Sequence, residues 1–366
     1  MANIKMKKKL IAVLCASMAL SLAACGSKTA PTETTETETE MKIETETQAL
    51  TETETKETED PALGKDEMYS YLTGEVVSKD VGLKRPYAIM LNNIQDALPQ
   101  SGILYAEVVY EAQVEAGITR LMGVFQDVDD VEKIGSIRSA RHYYIDFAND
   151  NEAVYVHFGQ SRFAQDRFDN EGITTISGLS SYTYDVFYRS DDREAPHNVY
   201  TTGDMLATGL DIVGLSRDYP EDYTPRLKFN RKDTPLKDGI DASVVNIPFD
   251  SQPWFEYDEE TGLYKRFQYG EPHIDRETEE QLAYKNVIVQ YVYETSISNE
   301  DHQDLTLNGT GQGYYITDGK AIEITWKRAD NDDRTKYYDA DGNEIRLNPG
   351  KTFFEVVSDS KTVTFE

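Results

Sequence analysis

Cysteine is scarce in this chain, with only Cys15 and Cys25 among 366 residues. Two cysteines are too few for a disulfide-dense scaffold or a structural zinc ribbon. Cys15 lies in a segment that we expect to be cleaved off, and Cys25 in a position that we expect to be acylated. The mature chain is then left without a free thiol, which excludes a cysteine nucleophile and a thiolate metal site.

Basic residues are also in the minority. The chain has 37 lysines and arginines against 66 aspartates and glutamates, a formal net charge of −29. Residues 61–366, which contain the predicted folded part, still carry a net charge of −25. Such an acidic chain is repelled by the phosphates of nucleic acids and by anionic lipid surfaces. No nucleic acid is therefore predicted among its partners.

Short motifs that mark common catalytic and cofactor sites are absent from the sequence. There is no G-x-x-x-x-G-K-[ST] loop, no G-x-G-x-x-G after a strand, no H-E-x-x-H and no G-x-S-x-G. The five histidines are scattered without ligand spacing. We therefore predict no cofactor, no metal site and a non-enzymatic protein. A Ser-His-Asp set assembled by the fold remains open, because such triads are recognised by geometry.

One acidic turn, Asp339 to Glu344, resembles a calcium-binding loop. An EF-hand loop supplies oxygen ligands from positions one, three and five before a glycine at position six. When that glycine is aligned on Gly342, position one is Tyr337, which cannot serve as a ligand. The segment is therefore predicted to be a hairpin turn.

The N-terminus has the pattern of a targeting signal. Four lysines between Lys5 and Lys9 precede an apolar stretch, Leu10 to Leu22, that is too short to span a bilayer. The stretch ends in Leu-Ala-Ala-Cys25, which resembles the bacterial lipoprotein signal. We predict that residues 1–24 are removed and that lipid on Cys25 anchors the protein to the cell membrane on its extracytoplasmic face. An ordinary secretory signal with a chance cysteine is the alternative.

Residues 25–64 are predicted to be a disordered tether that begins at the lipidated cysteine. Within it, residues 28–60 consist largely of threonine and glutamate and carry a net charge of −8. A segment with like charges and few large apolar side chains cannot recover the entropy that folding would cost. The tether would hold the folded part away from the membrane.

Two folded regions follow, with different patterns. In residues 65–240, strand-like runs at 87–91, 118–125 and 153–158 alternate with helical segments, which is typical of an α/β domain with a mixed sheet. One helix is predicted to begin after Ser136 and to continue to Ala148.

In residues 241–366, alternating strands are separated by longer turns and by Asp-Gly turns. This pattern indicates a smaller, β-rich domain. Its two tryptophans, Trp254 and Trp326, and the many tyrosines are compatible with a glycan-binding groove. Tyrosine also suits half-buried strands, and we prefer that interpretation.

The first region contains a set of basic and polar residues that an anion could bring together. Arg138 and Arg141 lie at the start of the predicted helix, where the helix dipole does not favour cations. A bound phosphate or carboxylate would explain them. The ends of neighbouring strands are expected to add further candidates, which are Arg120, His157, Ser161 and His197. Pairing of the arginines with acids of the same domain, such as Asp127, Asp129 or Asp146, is the alternative.

Several segments resemble one known family. RPYAIMLNN (85–93), IGSIRSAR (134–141), APHNVYT (195–201) and GQGYYITDGKAIEITWKR (311–328) are similar to segments of the YerB-type bacterial lipoproteins. The resemblance covers about residues 75–355 and implies a two-domain surface lipoprotein. It transfers no catalytic residue, because no function is assigned to the family.

These observations favour a lipid-anchored, extracytoplasmic binding or scaffolding module for a cell-wall component or an envelope protein. The alternative is an envelope enzyme that acts on a phosphate-bearing cell-wall polymer or lipid-linked precursor. The run from Arg120 to Arg141 loosely resembles LytR-type phosphotransferases. Those enzymes carry an acid after the key arginine, whereas Ser139 and His142 follow Arg138 and Arg141 here. A third hypothesis is peptide binding at an exposed β-edge of the second region.

The lipid anchor can be tested by replacing its sulfur. We expect the wild-type chain to incorporate a palmitate analogue and to fractionate with membranes, and Cys25→Ser to lose both properties, because a serine hydroxyl replaces the thiol. Unchanged labelling and fractionation of Cys25→Ser would contradict the anchor.

Overall fold

One large β-sheet organises the described part of the chain, residues 63–366 of a computed structural model. The predicted leader, Cys25 and nearly all of the predicted tether lie outside these residues. Among residues 63–366, no helix has the length and apolar character needed to cross a bilayer.

The first half of the described chain alternates strands with short helices. Its elements are β1 (Glu67–Tyr69), β2 (Val76–Ser78), α1 (Lys79–Gly82), β3 (Tyr87–Asn92), β4 (Val108–Glu115), β5 (Ile118–Phe125), β6 (Ile134–Gly135), α2 (Tyr144–Asp150), β7 (Val154–His157), α3 (Arg162–Glu171), β8 (Ile176–Ser177), α4 (Thr183–Val186), β9 (Tyr188–Arg189), β10 (Val199–Thr201) and α5 (Gly203–Val213). Two short 3₁₀ turns, Gln95–Ala97 and Ile103–Tyr105, separate β3 from β4.

The second half is built from strands. They are β11 (Ile240–Asp241), β12 (Val244–Asn246), β13 (Trp254–Asp258), β14 (Leu263–Gln268), β15 (Glu271–Pro272), β16 (Ala283–Tyr284), β17 (Asn286–Val292), β18 (Glu294–Ser296), β19 (Gln303–Leu305), β20 (Gly309–Thr317), β21 (Lys320–Arg328), β22 (Lys336–Tyr338), β23 (Thr352–Ser358) and β24 (Thr364–Phe365). The predicted α/β region with a mixed sheet, followed by a β-rich region, is thus confirmed.

The large sheet runs through both halves in the order β11-β21-β20-β17-β23-β4-β5-β3-β7-β8, with β22 beside β21. The halves meet where β23 pairs in parallel with β4, from Thr352 opposite Val108 to Val356 opposite Ala112. β17 is also parallel to β23, and β3 is parallel to β7, whereas β5 is antiparallel to both of its neighbours. The local sequence pattern does not predict the pairing of β23 with β4, because these strands are far apart in the chain.

Both faces of the central sheet are buried. In β3, Ile89 and Leu91 belong to one apolar cluster, and Ala88 and Met90 to another on the opposite face. This alternation follows from the two-residue period of a strand. Helices α2 and α3 cover the face of Ala88. A smaller sheet, β15-β14-β13-β12-β24 with β16 beside β14, contributes with α5 to the cluster on the face of Ile89.

Side-chain caps begin two of the helices, and a predicted Asp-Gly turn closes one hairpin. Helix α3 begins after Ser161, whose hydroxyl accepts a hydrogen bond from the Ala164 amide, and α5 begins after Thr202 in the same way. The β20–β21 hairpin turns at Asp318 and Gly319, as the Asp-Gly signal predicts.

The helix predicted after Ser136 is wrong in its first half, because α2 begins only at Tyr144. The amide of Arg138 donates to the carbonyl of Met90 in β3, and the amide of Ile137 donates to Val199 in β10. The segment is therefore extended, and its backbone groups are used by neighbouring strands rather than by a helical turn. The helical spacing of apolar residues did not reveal these non-local partners.

A buried ion pair joins the two layers on the Ile89 face. Arg266 from β14 and Glu111 from β4 are both fully buried and form a salt bridge. Arg266 also donates to Nδ1 of buried His273. Glu355 of β23 lies opposite Glu111, is fully buried, and has no hydrogen-bond partner among the described residues for either oxygen. Burial and the neighbouring Glu111 raise the pKa of Glu355 well above its usual range, so the neutral carboxyl is favoured in the folded protein.

These two glutamates should respond differently to amide substitution. Glu111→Gln should lower the free energy of unfolding by about 3 kcal/mol, because it leaves the Arg266 charge buried without its counter-ion. Glu355→Gln should lower the free energy of unfolding by less than about 1 kcal/mol at pH 7, because burial already favours the neutral carboxyl, which the amide resembles. Urea unfolding of both variants measures the difference, and equal losses would contradict the assignment.

The pH dependence checks the same assignment. A carboxyl with a raised pKa in the folded state destabilises the fold as the pH rises above the unfolded value, since only the unfolded chain ionises freely. We expect Glu355→Gln to gain stability relative to wild type as the pH rises from about 4.5. A stability difference that does not change with pH would show that Glu355 is ionised in the folded protein.

Candidate functional site

The carboxyl ends of several sheet strands meet at one edge of the large sheet. β3 ends at Asn92, β7 at His157, β4 at Glu115 and β23 at Ser358. Because β5 is antiparallel to β3 and β4, its first residues, which include Arg120, lie at this edge as well. Such an edge is where α/β folds commonly bind ligands.

Two of the predicted arginines share one carboxylate there. Arg141 donates from Nε to Oε2 of Glu115 at 3.0 Å and also pairs with the other carboxylate oxygen. The Nη2 of Arg120 lies 3.3 Å from the Oε1 of Glu115, and its Nη1 donates to the carbonyl of Ser139 at 2.5 Å. Although burial alone would raise the pKa of Glu115, these guanidiniums hold it below its usual value. Glu115 is therefore ionised and neutralises only one of two buried cations.

Arg138 completes the cluster without a carboxylate of its own. Its Nη1 lies 3.3 Å from the carbonyl oxygen of Pro196, and its Nε is buried without a hydrogen-bond partner among the described residues. The side chain is half-buried. Burial and the charge of Arg141 lower the pKa of Arg138, while Glu115 partly opposes this. We call Arg120, Arg138 and Arg141 the arginine edge.

The extended backbone explains how Arg138 reaches this position. Its amide donates to Met90 at 2.9 Å, and its carbonyl accepts from the Phe158 amide at 3.0 Å. The residue is therefore held between the carboxyl ends of β3 and β7. Arg138 does not lie at a helix N-terminus, so the dipole argument for an anion does not apply to it.

His197 lies beside Arg138, on the loop that contains Pro196. Its Nδ1 is 2.7 Å from the side-chain amide of Asn92, the last residue of β3. Burial and the charge of Arg138 lower the pKa of His197 below 6.5, so the imidazole is neutral at pH 7. The loop and the sheet edge together place His197 where its protonation would add charge to the arginine edge.

The two other predicted residues have structural partners. His157 is fully buried and packs on Phe168, and its ring nitrogens contact the Gly159 carbonyl at 2.8 Å and the Thr175 hydroxyl at 3.0 Å. Burial lowers its pKa to about 4. Ser161 caps α3. Both side chains are therefore engaged by partners within the fold.

The acids named as alternative partners of the arginines lie elsewhere. Asp146 pairs with Arg167 and Arg328, and Asp127 and Asp129 pair with Lys84. The predicted identity of the acidic partner is therefore wrong. Glu115 takes this role because the turn between β4 and β5 brings it next to Arg120.

The second half of the chain also contributes to this edge. The β18–β19 hairpin follows β17, and its Asp304 lies 2.8 Å from the Nε2 of His142. The Asp301 carboxylate, in the loop of this hairpin, accepts a hydrogen bond from the Ala116 amide at 3.2 Å. The backbone of His302 forms an isolated antiparallel β-bridge with that of Glu115. Sequence reasoning missed these residues, since no motif links them to Arg141.

Chemically, the arginine edge is suited to holding an anion. Of its three guanidiniums, only those of Arg120 and Arg141 pair with a described carboxylate, and both pair with Glu115. The guanidinium group of arginine can donate two hydrogen bonds at once to the oxygens of a carboxylate or a phosphate.

Among residues 63–366, no group of three or more histidine, cysteine or acidic side chains has a metal-binding arrangement. The turn at Asp339 is held by hydrogen bonds from the amides of Asp341 and Asn343 to the Asp339 carboxylate.

Comparison with known proteins gives consistent results across both halves. A model described as "Protein of unknown function (DUF3048) N-terminal domain" matches residues 72–216, and one described as "Protein of unknown function (DUF3048) C-terminal domain" matches residues 245–354. YerB of Bacillus subtilis (strain 168), whose name describes it as a candidate lipoprotein, is 29% identical over 293 residues, which cover 79% of this chain and 86% of YerB.

The crystal structure of the YerB protein from Bacillus subtilis has the same fold. It matches with a TM-score of 0.73 at 27% sequence identity, covering 82% of this chain and 99% of the solved one. The resemblance carried by segments such as RPYAIMLNN and IGSIRSAR is thereby confirmed. This chain belongs to the YerB-type family, whose N-terminal and C-terminal domains have no assigned function.

Proposed function

We propose that this protein is held at the outer face of the cell membrane by lipid on Cys25 and binds an anionic cell-envelope polymer at its arginine edge. The Leu-Ala-Ala-Cys25 motif and the name of the relative YerB support the anchor. Its role is then to bind or scaffold rather than to catalyse, because the arginine edge offers cations and hydrogen-bond donors.

Arg138 is the observation on which the proposal depends. A buried guanidinium nitrogen without a partner is costly, and most such groups in proteins are satisfied. In a chain with a net charge of −25 over residues 61–366, carboxylates are abundant, yet none of the described ones lies within ion-pair distance of Arg138. An anionic ligand oxygen would supply both the missing hydrogen bond and the missing counter-charge.

The surroundings of Arg138 strengthen this attraction. Arg120 and Arg141 lie close to it and share Glu115 as their carboxylate partner, so three guanidiniums are gathered in one place of an acidic protein. Arg120 is 6% exposed and Arg141 is 5% exposed, so water screens their charges only weakly. The half-buried Arg138 is therefore the contact residue, and the other two arginines raise the local potential.

A charge-removing substitution at Arg138 tests the proposal. We expect Arg138→Gln to weaken binding of poly(glycerol phosphate) by about tenfold, the size expected for loss of a charge-assisted hydrogen bond. Arg217→Gln is the matched control, because it makes the same charge change near the amino end of β3, at the opposite sheet edge. Calorimetric titration of the full chain at constant ionic strength measures both affinities.

A carboxylate polymer, polygalacturonate, distinguishes the two anion chemistries in the same experiment. Tighter binding of poly(glycerol phosphate) at equal charge assigns a phosphate ligand, and the reverse assigns a carboxylate ligand. Equal affinities of Arg138→Gln and Arg217→Gln for both polymers would contradict the arginine edge as the binding site, while leaving the lipid anchor unaffected.

The pH dependence of binding should report His197. An anion beside Arg138 favours the protonated imidazole, so affinity should rise as the pH falls below 6.5 and His197 gains its proton. A phosphodiester keeps its charge over this range, so the ligand does not titrate. His197→Gln should remove the dependence. His142 and His302 lie at the same edge, so the titration of His197 itself should be followed through the proton resonance of its ring. A pKa of His197 that poly(glycerol phosphate) leaves unchanged would contradict this role.

A further inference from the structure

A second candidate site lies in the C-terminal half, where two neighbouring strands separate. β17 pairs with β20 from Val287 opposite Ile316 to Gln290 opposite Gly313, and the ladder then stops. The pairing of β20 with β21 continues for four more residues, to Gly309 opposite Arg328. A cleft therefore opens between the end of β17 and the first residues of β20.

Trp326 of β21 closes the bottom of this cleft. Its indole Nε1 donates to the carbonyl of Tyr291 at 2.8 Å, taking the place of a β20 amide. Gly311 lies opposite Trp326, and a Cβ at this position would come within 2.4 Å of the indole nitrogen. The glycine is thus required for the indole to cross β20, and it lowers the wall of the cleft.

The cleft has a volume of about 400 Å³ and combines an aromatic wall with polar side chains. Tyr293 lines the cleft and is 60% exposed, so its ring is available to a ligand. Asn308, Gln312 and Asp359 line the same cleft. Asn308 donates to Asn331, whereas the side chains of Gln312 and Asp359 make no hydrogen bond with the described residues.

We propose that this cleft binds a pyranose oligosaccharide. A pyranose ring has one apolar C–H face, which packs on an aromatic ring such as Tyr293, and equatorial hydroxyls that both donate and accept hydrogen bonds. Asn308 and Gln312 carry amides that can do both, and Asp359 accepts. The volume is sufficient for one or two sugar rings.

An added peptide strand fits the cleft less well. Strand addition needs a continuous row of free backbone groups along an edge. Here the carbonyl of Tyr291 is taken by Trp326, the carbonyl of Val292 accepts from the Asp359 amide at 2.8 Å, and the carbonyl of Tyr293 accepts from the Thr306 amide at 2.9 Å. On the β17 side of the cleft, side-chain groups rather than these three carbonyls are left to recognise a ligand.

Two exposed tyrosines allow a matched test. Tyr293→Ala removes the proposed stacking ring, and Tyr184→Ala removes a tyrosine that is 89% exposed and lies outside the cleft. We expect Tyr293→Ala to bind chitotetraose or maltotetraose at least tenfold more weakly than wild type, and Tyr184→Ala to bind like wild type. Titrations should use the full chain in a detergent without a sugar head group. Equal thermal melting of the variants establishes that both are folded.

Fluorescence gives an independent measurement at the site itself. The chain has only two tryptophans, so a Trp254→Phe background leaves Trp326 as the sole indole reporter. Binding in the cleft should change its emission in the Tyr184→Ala variant and not in the Tyr293→Ala variant. Comparison of the two sugars decides between a β-1,4-linked N-acetylglucosamine chain and an α-1,4-linked glucose chain.

Three outcomes would overturn the inference. They are the absence of saturable binding of either sugar, equal affinity of Tyr293→Ala and wild type, and saturation of the Trp326 signal by an alanine pentapeptide but by neither sugar. Because the cleft and the arginine edge use different residues, none of these outcomes bears on poly(glycerol phosphate) binding.

Discussion

The parallel ladder between β4 and β23 is the constraint on which the rest of the structure depends. It joins the two halves into one sheet and sets the direction in which the strands on either side run. With β3, β4, β7 and β23 all pointing the same way, their carboxyl ends reach one edge, and the arginine edge forms there. The same ladder aligns Glu355 with Glu111, the residue that pairs with Arg266 from the smaller sheet.

Charge is distributed very unevenly over this scaffold. Acids dominate the chain as a whole, yet the arginine edge collects three guanidiniums around Glu115. Burial makes the contrast stronger, because charges that water cannot screen interact over longer distances. In the interior, Arg266 pairs with Glu111, and burial raises the pKa of Glu355. The interior arginine is thus paired with a carboxylate, whereas Arg138 at the arginine edge has no carboxylate partner among the described residues.

Local sequence signals predicted elements well wherever the deciding contacts were themselves local. The predicted Asp-Gly turns at Asp318 and Asp341 depend on residues within a few positions of each other. The helix predicted after Ser136 failed for the opposite reason. Its apolar spacing was compatible with a helix, but Met90 and Val199, which are distant in the chain, bind its backbone amides.

For the candidate site, the sequence by itself determined the residues available: an acidic chain with no cysteine after Cys25, a cluster of arginines in one segment, and the family to which these motifs belong. Residue type and short-range order are enough for such statements. Only the tertiary structure decided that Arg120 and Arg141 share Glu115, that Arg138 lacks a carboxylate, and that the β18–β19 hairpin reaches the same edge. These contacts arise from strand pairing between remote segments, and the free energy of that pairing comes from burial over the whole sheet, which no local pattern encodes.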